Sequence, residues 1–392
     1  MKLPQPDPDA TAASDRLAQR IRGAIEAAGG WIAFDDYMAL ALYEPGLGYY
    51  SGGATKFGAA GDFVTAPGIS RLFGATLARQ LREVLVHGMP NILEFGAGTG
   101  TLAADLLATL GDDCASYTIL EPSPELRQRQ AETLRRLAPH ALSRVRWIDA
   151  LPAGFSGCIV ANEVLDAMPV HMVRFTDGEV LERGVVLDAN GRFAFADQPA
   201  IGLVLEAARA LPCAVAPDYV TEINLAAHAW MGSIATTLER GALFAIDYGF
   251  SAAEYYHPQR SRGTLMCHYR HLAHHDPFAH PGLTDITAHV DFSALAGAGT
   301  KAGLDLLGYA TQANFLINCG ITDVMAATPA SDAGAYLPLA NQANRLLSAA
   351  EMGELFKVLV TMWCTPSCLA AWQISSARSP TTQCVWWGTP AF

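Results

Sequence analysis

Between residues 91 and 161 short apolar runs alternate with amphipathic stretches, and this alternation restricts the chain more than any other feature. Residues 91–95, 117–120, 145–148 and 158–161 read as strands, and 102–110 and 124–137 between them as helices. Strands separated by helices demand right-handed crossovers. The predicted class is therefore α/β: a doubly wound, mainly parallel, Rossmann-like sheet covered on both faces. The pattern then breaks. Residues 170–175, 179–187 and 192–196, separated by Asp177-Gly178 and Asn190-Gly191, read as hairpin strands. They define a β-rich insertion at about 175–218, after which a helix at 225–239 and a strand at 242–246 resume the alternation.

With 392 residues the chain exceeds what one core usually organises. The division expected is an N-terminal cap (1–88), a core carrying the insertion (89–320) and a C-terminal segment (321–392). The cap reads as a loose leader over 1–10, a helix over 12–28 and irregular glycine- and aromatic-rich backbone over 34–74. Hydrophobic residues at 51% against 16% charged supply a large core and exclude general disorder. A net charge of −12 argues against a nucleic-acid partner, which needs concentrated positive charge. No secretory signal and no apolar run long enough for membrane insertion is present, so a soluble, cytoplasmic protein with reduced thiols is expected. Cys114, Cys158, Cys213, Cys267 and Cys319 read as small core residues. Oligomeric state is not legible.

The turn after the first strand is Glu94-Phe95-Gly96-Ala97-Gly98-Thr99-Gly100. A dinucleotide loop needs G-x-G-x-x-G, whose last glycine brings the helix close to a pyrophosphate. Here that position is Thr101. Glu94 would also repel a pyrophosphate, whereas it attracts the ammonium of a methionine group. The loop is therefore predicted to hold S-adenosylmethionine through Glu94, Gly96, Ala97, Gly98 and Gly100. Glu121-Pro122 ends the second strand, where a carboxylate accepts from both ribose hydroxyls. Asp149-Ala150 follows the third, within reach of the adenine amino group.

After the fourth strand comes Ala161-Asn162-Glu163-Val164-Leu165-Asp166-Ala167-Met168-Pro169. Ligands in such sheets bind beyond the carboxyl ends of strands, so this turn should face the transferable methyl. Asn162 is assigned to the cofactor, and Glu163 and Asp166 to orienting a cationic or amine acceptor. Asp166 has a second reading as the cap of a following helix. The aromatic N-P-P-Y turn used for planar bases and amides is absent.

These motifs resemble the MidA-like family of class I S-adenosylmethionine-dependent methyltransferases, which includes the mitochondrial complex I assembly-factor arginine methyltransferase. Matching segments are 43–50, 57–58, 61–65, 73–74, 94–100, 162–169, 247–250 (Asp247-Tyr248-Gly249-Phe250), 285–292 and 352–357, spanning roughly residues 11–358. The resemblance implies a protein substrate methylated on arginine, and a respiratory complex I subunit as the partner. His289 and Asp291 lie in one shared motif and read either as acceptor-site residues or as a buried structural pair. The sequence departs from the family at Gly68 and Ala75, where the family carries glutamates. A small-molecule methyltransferase and a cofactor-binding assembly factor with little turnover are the alternative readings.

Two temptations are set aside. Seven of eleven histidines fall between His257 and His289, but Asp276-Pro277 and His280-Pro281-Gly282 mark loop, and no metal is expected there. From about residue 360 the composition changes. Residues 361–392 hold four of seven tryptophans, three of eight cysteines and one charge, Arg378, so the chain beyond Leu359 is expected to be dispensable for the cofactor site.

Overall fold

The computed structural model describes residues 3–52, 65–211 and 217–363. They form an α/β fold whose largest sheet is mixed, divided into two compact units that are both discontinuous in sequence. One comprises residues 64–164, 230–249 and 294–392, and the other 1–63, 165–229 and 250–293. The division thus differs from three consecutive spans. The sheet of the second unit recruits the N-terminal segment by strand pairing, Ile32 opposite Val185.

The first of these units is built on the alternation. Its sheet runs Asp305–Thr311, Phe356–Trp363, Leu238–Phe250, Phe155–Asn162, Asn91–Phe95, Ser116–Leu120, Val145–Ile148. The last five are mutually parallel, and Phe356–Trp363 is antiparallel to both its neighbours. Helices punctuate it where capping chemistry dictates. Ser123 Oγ accepts from Leu126 N at 3.3 Å with Pro124 next in line, so Pro124–Leu137 starts there. Ser70 starts Arg71–Leu85 in the same way. That helix buries Phe73, Leu77, Leu81 and Val84 in one cluster with Ile92, Val160 and Phe244 of the sheet.

The strand Phe356–Trp363 corrects the expectation about the tail. Leu359, Val360, Thr361 and Met362 are buried and pair with 242–245 on one side and 305–309 on the other. Residues just past Leu359 therefore belong to the sheet interior. Those from 364 on, with Cys364, Cys368 and Cys384, lie outside the described residues, as does Cys213.

In the other unit an antiparallel sheet runs Ile32–Ala33, Val180–Leu187, His171–Phe175, Val220–Ile223, with Phe193–Pro199 paired to Val180–Leu187. The β-rich insertion is thus part of a sheet that begins at residue 32. Helix Pro8–Ala27 starts earlier than expected, because Asp7 Oδ1 accepts from Ala10 N at 2.9 Å. Phe34–Tyr43, expected to be irregular, is a helix burying Phe34, Tyr37, Met38, Ala41 and Leu42. The histidine-rich stretch carries short strands, Met266–Tyr269, Leu272–His274 and Asp285–Thr287. Among the described residues no helix is long and apolar enough to cross a membrane.

Candidate active site

Glu94 lies one residue before the end of Asn91–Phe95, between Ile119 and Val160 of the flanking strands. It is 2% exposed, and its Oε2 accepts from the Tyr117 hydroxyl at 2.8 Å. Burial pushes its carboxyl up to about 8, only partly opposed by that hydrogen bond. Among the described residues no cation faces it. The turn that follows uses left-handed backbone at Gly96 (φ 57), Gly98 (φ 51) and Gly100 (φ 81), which L side chains rarely adopt. A Cβ at Gly98 would meet no atom of the described residues within 4 Å, so among them the space beside it is open. At Gly100 a Cβ would press on Gln130 Cα at 3.0 Å. Ala97 between them is buried.

Glu121 follows Ser116–Leu120 and is also buried. Its Oε1 accepts from Ser123 N at 2.9 Å and its Oε2 from Gln130 Nε2 at 3.1 Å. Burial raises its pKa, against those two hydrogen bonds and the charge of Arg127. Pro122, Asp149 and Ala150 are exposed at their strand ends. Gln130 was not singled out by the sequence.

After Phe155–Asn162 the chain does something costly. Glu163 has φ 53, a left-handed conformation at a residue with a long side chain. Three contacts hold it there. Glu163 N donates to Ile246 O at 2.9 Å, Val164 N donates to Asp247 Oδ2 at 3.2 Å, and Asp247 Oδ1 accepts from Tyr248 N at 2.9 Å. Asp247 is fully buried, and it is the second residue missed by sequence reasoning; its signal was the shared motif 247–250. The Glu163 carboxylate accepts from Asn162 Nδ2 at 3.1 Å and Ala66 N at 3.4 Å through Oε1. Asn162 Oδ1 is buried with no hydrogen-bond partner among the described residues.

Asp166 and the pair His289 and Asp291 belong to the other compact unit. No helix follows Asp166; the next element is the strand His171–Phe175, which removes its reading as a helix cap. Its backbone carbonyl accepts from Ala288 N at 3.0 Å. Its charge, with that of Asp285, bears on the stacked Tyr43–Tyr50 pair. His289 stacks on Phe250 with ring centroids 5.2 Å apart, and Asp291 Oδ2 accepts from the Tyr256 hydroxyl at 2.8 Å. In the same unit Asp35, His171 and Glu182 converge. His171 Nδ1 is 2.8 Å from Glu182 and 3.2 Å from Asp35.

A buried acid with no cation, beside a turn with room for a ligand, fits the ammonium end of S-adenosylmethionine. The second acid, one strand over, fits its ribose. Fold and site thus define an S-adenosylmethionine-dependent methyltransferase. Known proteins narrow the class. The model of a family described as S-adenosyl-L-methionine-dependent methyltransferases matches residues 73–310. The chain belongs to this family, that of the MidA-like methyltransferases. It is 54% identical to a protein of Burkholderia thailandensis whose crystal structure holds S-adenosyl-homocysteine, covering 92% of this chain and 95% of that one with a TM-score of 0.89. It is 31% identical over 365 residues to the Danio rerio protein arginine methyltransferase NDUFAF7, mitochondrial, covering 84% of this chain and 82% of the relative. The Drosophila melanogaster homologue is 30% identical, with 81% and 78% covered. These relatives are named mitochondrial proteins, which overturns the cytoplasmic expectation. That expectation rested on secretory-signal patterning, which speaks to one export route and not to other compartments.

Proposed function

We propose that the protein transfers a methyl group to an arginine side chain of a protein, and that Glu163 orients the accepting nitrogen. The observation carrying this is the backbone of Glu163. A left-handed non-glycine residue costs on the order of 1–3 kcal/mol and persists where its surroundings over-determine it, as Ile246 and Asp247 do here. The result is a carboxylate fixed at the end of a parallel strand, where ligands of such sheets bind. A guanidinium stays charged at neutral pH and must be held by negative charge while one nitrogen is aimed. The acceptor class is supported by relatives named protein arginine methyltransferases.

We read the fold as the class I, Rossmann-like doubly wound arrangement, on its strand order and glycine turn. Glu94, Gly96, Ala97, Gly98 and Gly100 would take the methionine end of the cofactor, Glu121 and Pro122 the ribose, and Asp149 and Ala150 the adenine. Asn162, with its unused carbonyl oxygen, would accept from the cofactor or acceptor. When bound, the cofactor supplies an electrophilic methyl on a sulfonium. The chain's own part is alignment and electrostatics. Asp166, His289 and Asp291 are proposed for acceptor recognition.

Glu163→Gln tests the role with little change in shape. Transfer of labelled methyl to protein acceptors should fall about 10²-fold, as when one oriented electrostatic contact is lost, while calorimetric affinity for S-adenosylhomocysteine stays within about twofold. Equal loss of both would move Glu163 into the cofactor site. Unchanged transfer would remove its role.

A further inference from the structure

Gln130 is fully buried on helix Pro124–Leu137, yet its side chain is wholly engaged in polar contacts. Trp147 Nε1, which can only donate, reaches Gln130 Oε1 at 2.9 Å. That contact fixes which end of the amide points where, a choice that shape alone leaves open. Nε2 is thereby turned toward Glu121 Oε2 at 3.1 Å and Gly98 O at 3.2 Å. The backbone of the same residue occupies the space a side chain at Gly100 would need.

The three partners sit at three successive strand ends. Gly98 lies in the turn after Asn91–Phe95, Glu121 just past Ser116–Leu120, and Trp147 in Val145–Ile148, two residues before Asp149. One side chain on one helix therefore touches the glycine turn, the acid assigned to the ribose and the strand that leads to Asp149. Glu121 is held at both oxygens, by Ser123 N on one and Gln130 on the other. A carboxylate pinned at two points has its remaining lone pairs aimed, and two hydroxyls on adjacent ribose carbons need that aim.

We propose that Gln130 is a positioning residue for the cofactor: it aims the Glu121 carboxylate at the ribose hydroxyls and ties that aim to the glycine turn. This rests on the reading of Glu121 as the ribose ligand. Any buried glutamine needs partners for its amide; what singles out Gln130 is that its partners are the acid assigned to the ribose and the carbonyl of the glycine turn.

The test is the ratio of two affinities, measured by calorimetry with S-adenosylhomocysteine and its 2′,3′-dideoxy analogue. Gln130→Met keeps length and volume but removes both donor and acceptor. It should lower the ratio about tenfold, as expected when a hydrogen bond to a charged group loses its alignment. Trp147→Phe, which leaves the Gln130 amide free to turn over, should lower it about threefold and serves if Gln130→Met does not fold. Glu121→Gln is the control for the underlying reading. If its ratio matches the wild type, the ribose assignment itself has failed. If Glu121→Gln lowers the ratio while Gln130→Met and Trp147→Phe weaken both ligands equally, or neither, Gln130 is a packing residue and the proposal is overturned.

Discussion

Glu94 in one compact unit and Glu182 in the other are both buried acids, 2% and 8% exposed, and they differ in what answers their charge. Glu182 has the imidazole of His171 at 2.8 Å, shared with Asp35. Among the described residues Glu94 has only the Tyr117 hydroxyl, a neutral donor. Removing a carboxylate from water costs several kcal/mol unless a counter-charge returns it. The chain provides that counter-charge for Glu182. For Glu94 we propose that it arrives with a ligand. A buried acid answered by its own cation, or by several donors as Glu222 is by Thr264, Leu265 and Tyr255, is complete once folded, whereas one left with a single neutral donor is a candidate ligand site.

The comparison breaks most visibly if Glu94→Gln binds the cofactor normally. The glutamine keeps the volume and can still accept from Tyr117, but it has no charge for an ammonium. S-adenosylmethionine affinity should fall about 10²-fold in calorimetry, the size expected when a buried charge pair loses one partner. Thermal stability without ligand should be unchanged or higher. His171→Gln should do the reverse. It should leave cofactor affinity alone and cost roughly 2 kcal/mol in denaturant unfolding near pH 6, as for a hydrogen bond to a charged group. Burial disfavours the His171 imidazolium, but the Glu182 hydrogen bond and the Asp35 charge outweigh it, raising its pKa above 6.5. Its stabilisation is therefore complete below 6.5 and is lost as pH rises through the raised value, so the cost of His171→Gln should shrink in alkali.

A smaller effect sharpens the contrast. Glu94 ionises near 4.5 in the unfolded chain and at about 8 when folded and empty. Between those values the folded state holds the extra proton, so this group's contribution to stability declines as pH rises. An arriving ammonium favours the ionised form. Affinity should therefore increase toward pH 8 by up to about tenfold per pH unit, with a proton released on binding. Calorimetry in buffers of different ionisation enthalpy detects that proton, and its absence would mean that Glu94 is already charged.

The parallel sheet was legible because its signals are local. Ser123-Pro124 announces a helix, and residues 124–137 and 145–148 fall where the pattern places them. Phe34–Tyr43 was missed although Phe34, Tyr37, Met38, Ala41 and Leu42 keep helical spacing, because the glycines and aromatics after it read as irregular backbone. The strand Phe356–Trp363 was missed for a different reason. A change in composition at about 360 was read as the end of the fold, whereas partners far away in sequence, Leu243 and Tyr309, decide whether Leu359 to Thr361 are interior. Of the candidate site, Glu94, the glycines and Glu121 are the residues that type and spacing propose. Gln130 and Asp247 do not, because their roles depend on segments that only the folded sheet brings together. The left-handed Glu163 has no signature in sequence at all.

The central claim is that the glycine turn holds the cofactor, and calorimetric titration of S-adenosylhomocysteine into Gly98→Val at pH 8 tests it most directly. Among the described residues the space beside Gly98 is open, so a side chain there would enter the place proposed for the ligand. Strain at φ 51 is a second consequence, and Gly98→Ala carries much of it with less occlusion. The account predicts binding by the wild type, weakened binding by Gly98→Ala and no measurable heat from a Gly98→Val protein whose circular dichroism shows it folded. Wild-type affinity in that folded Gly98→Val protein would contradict it.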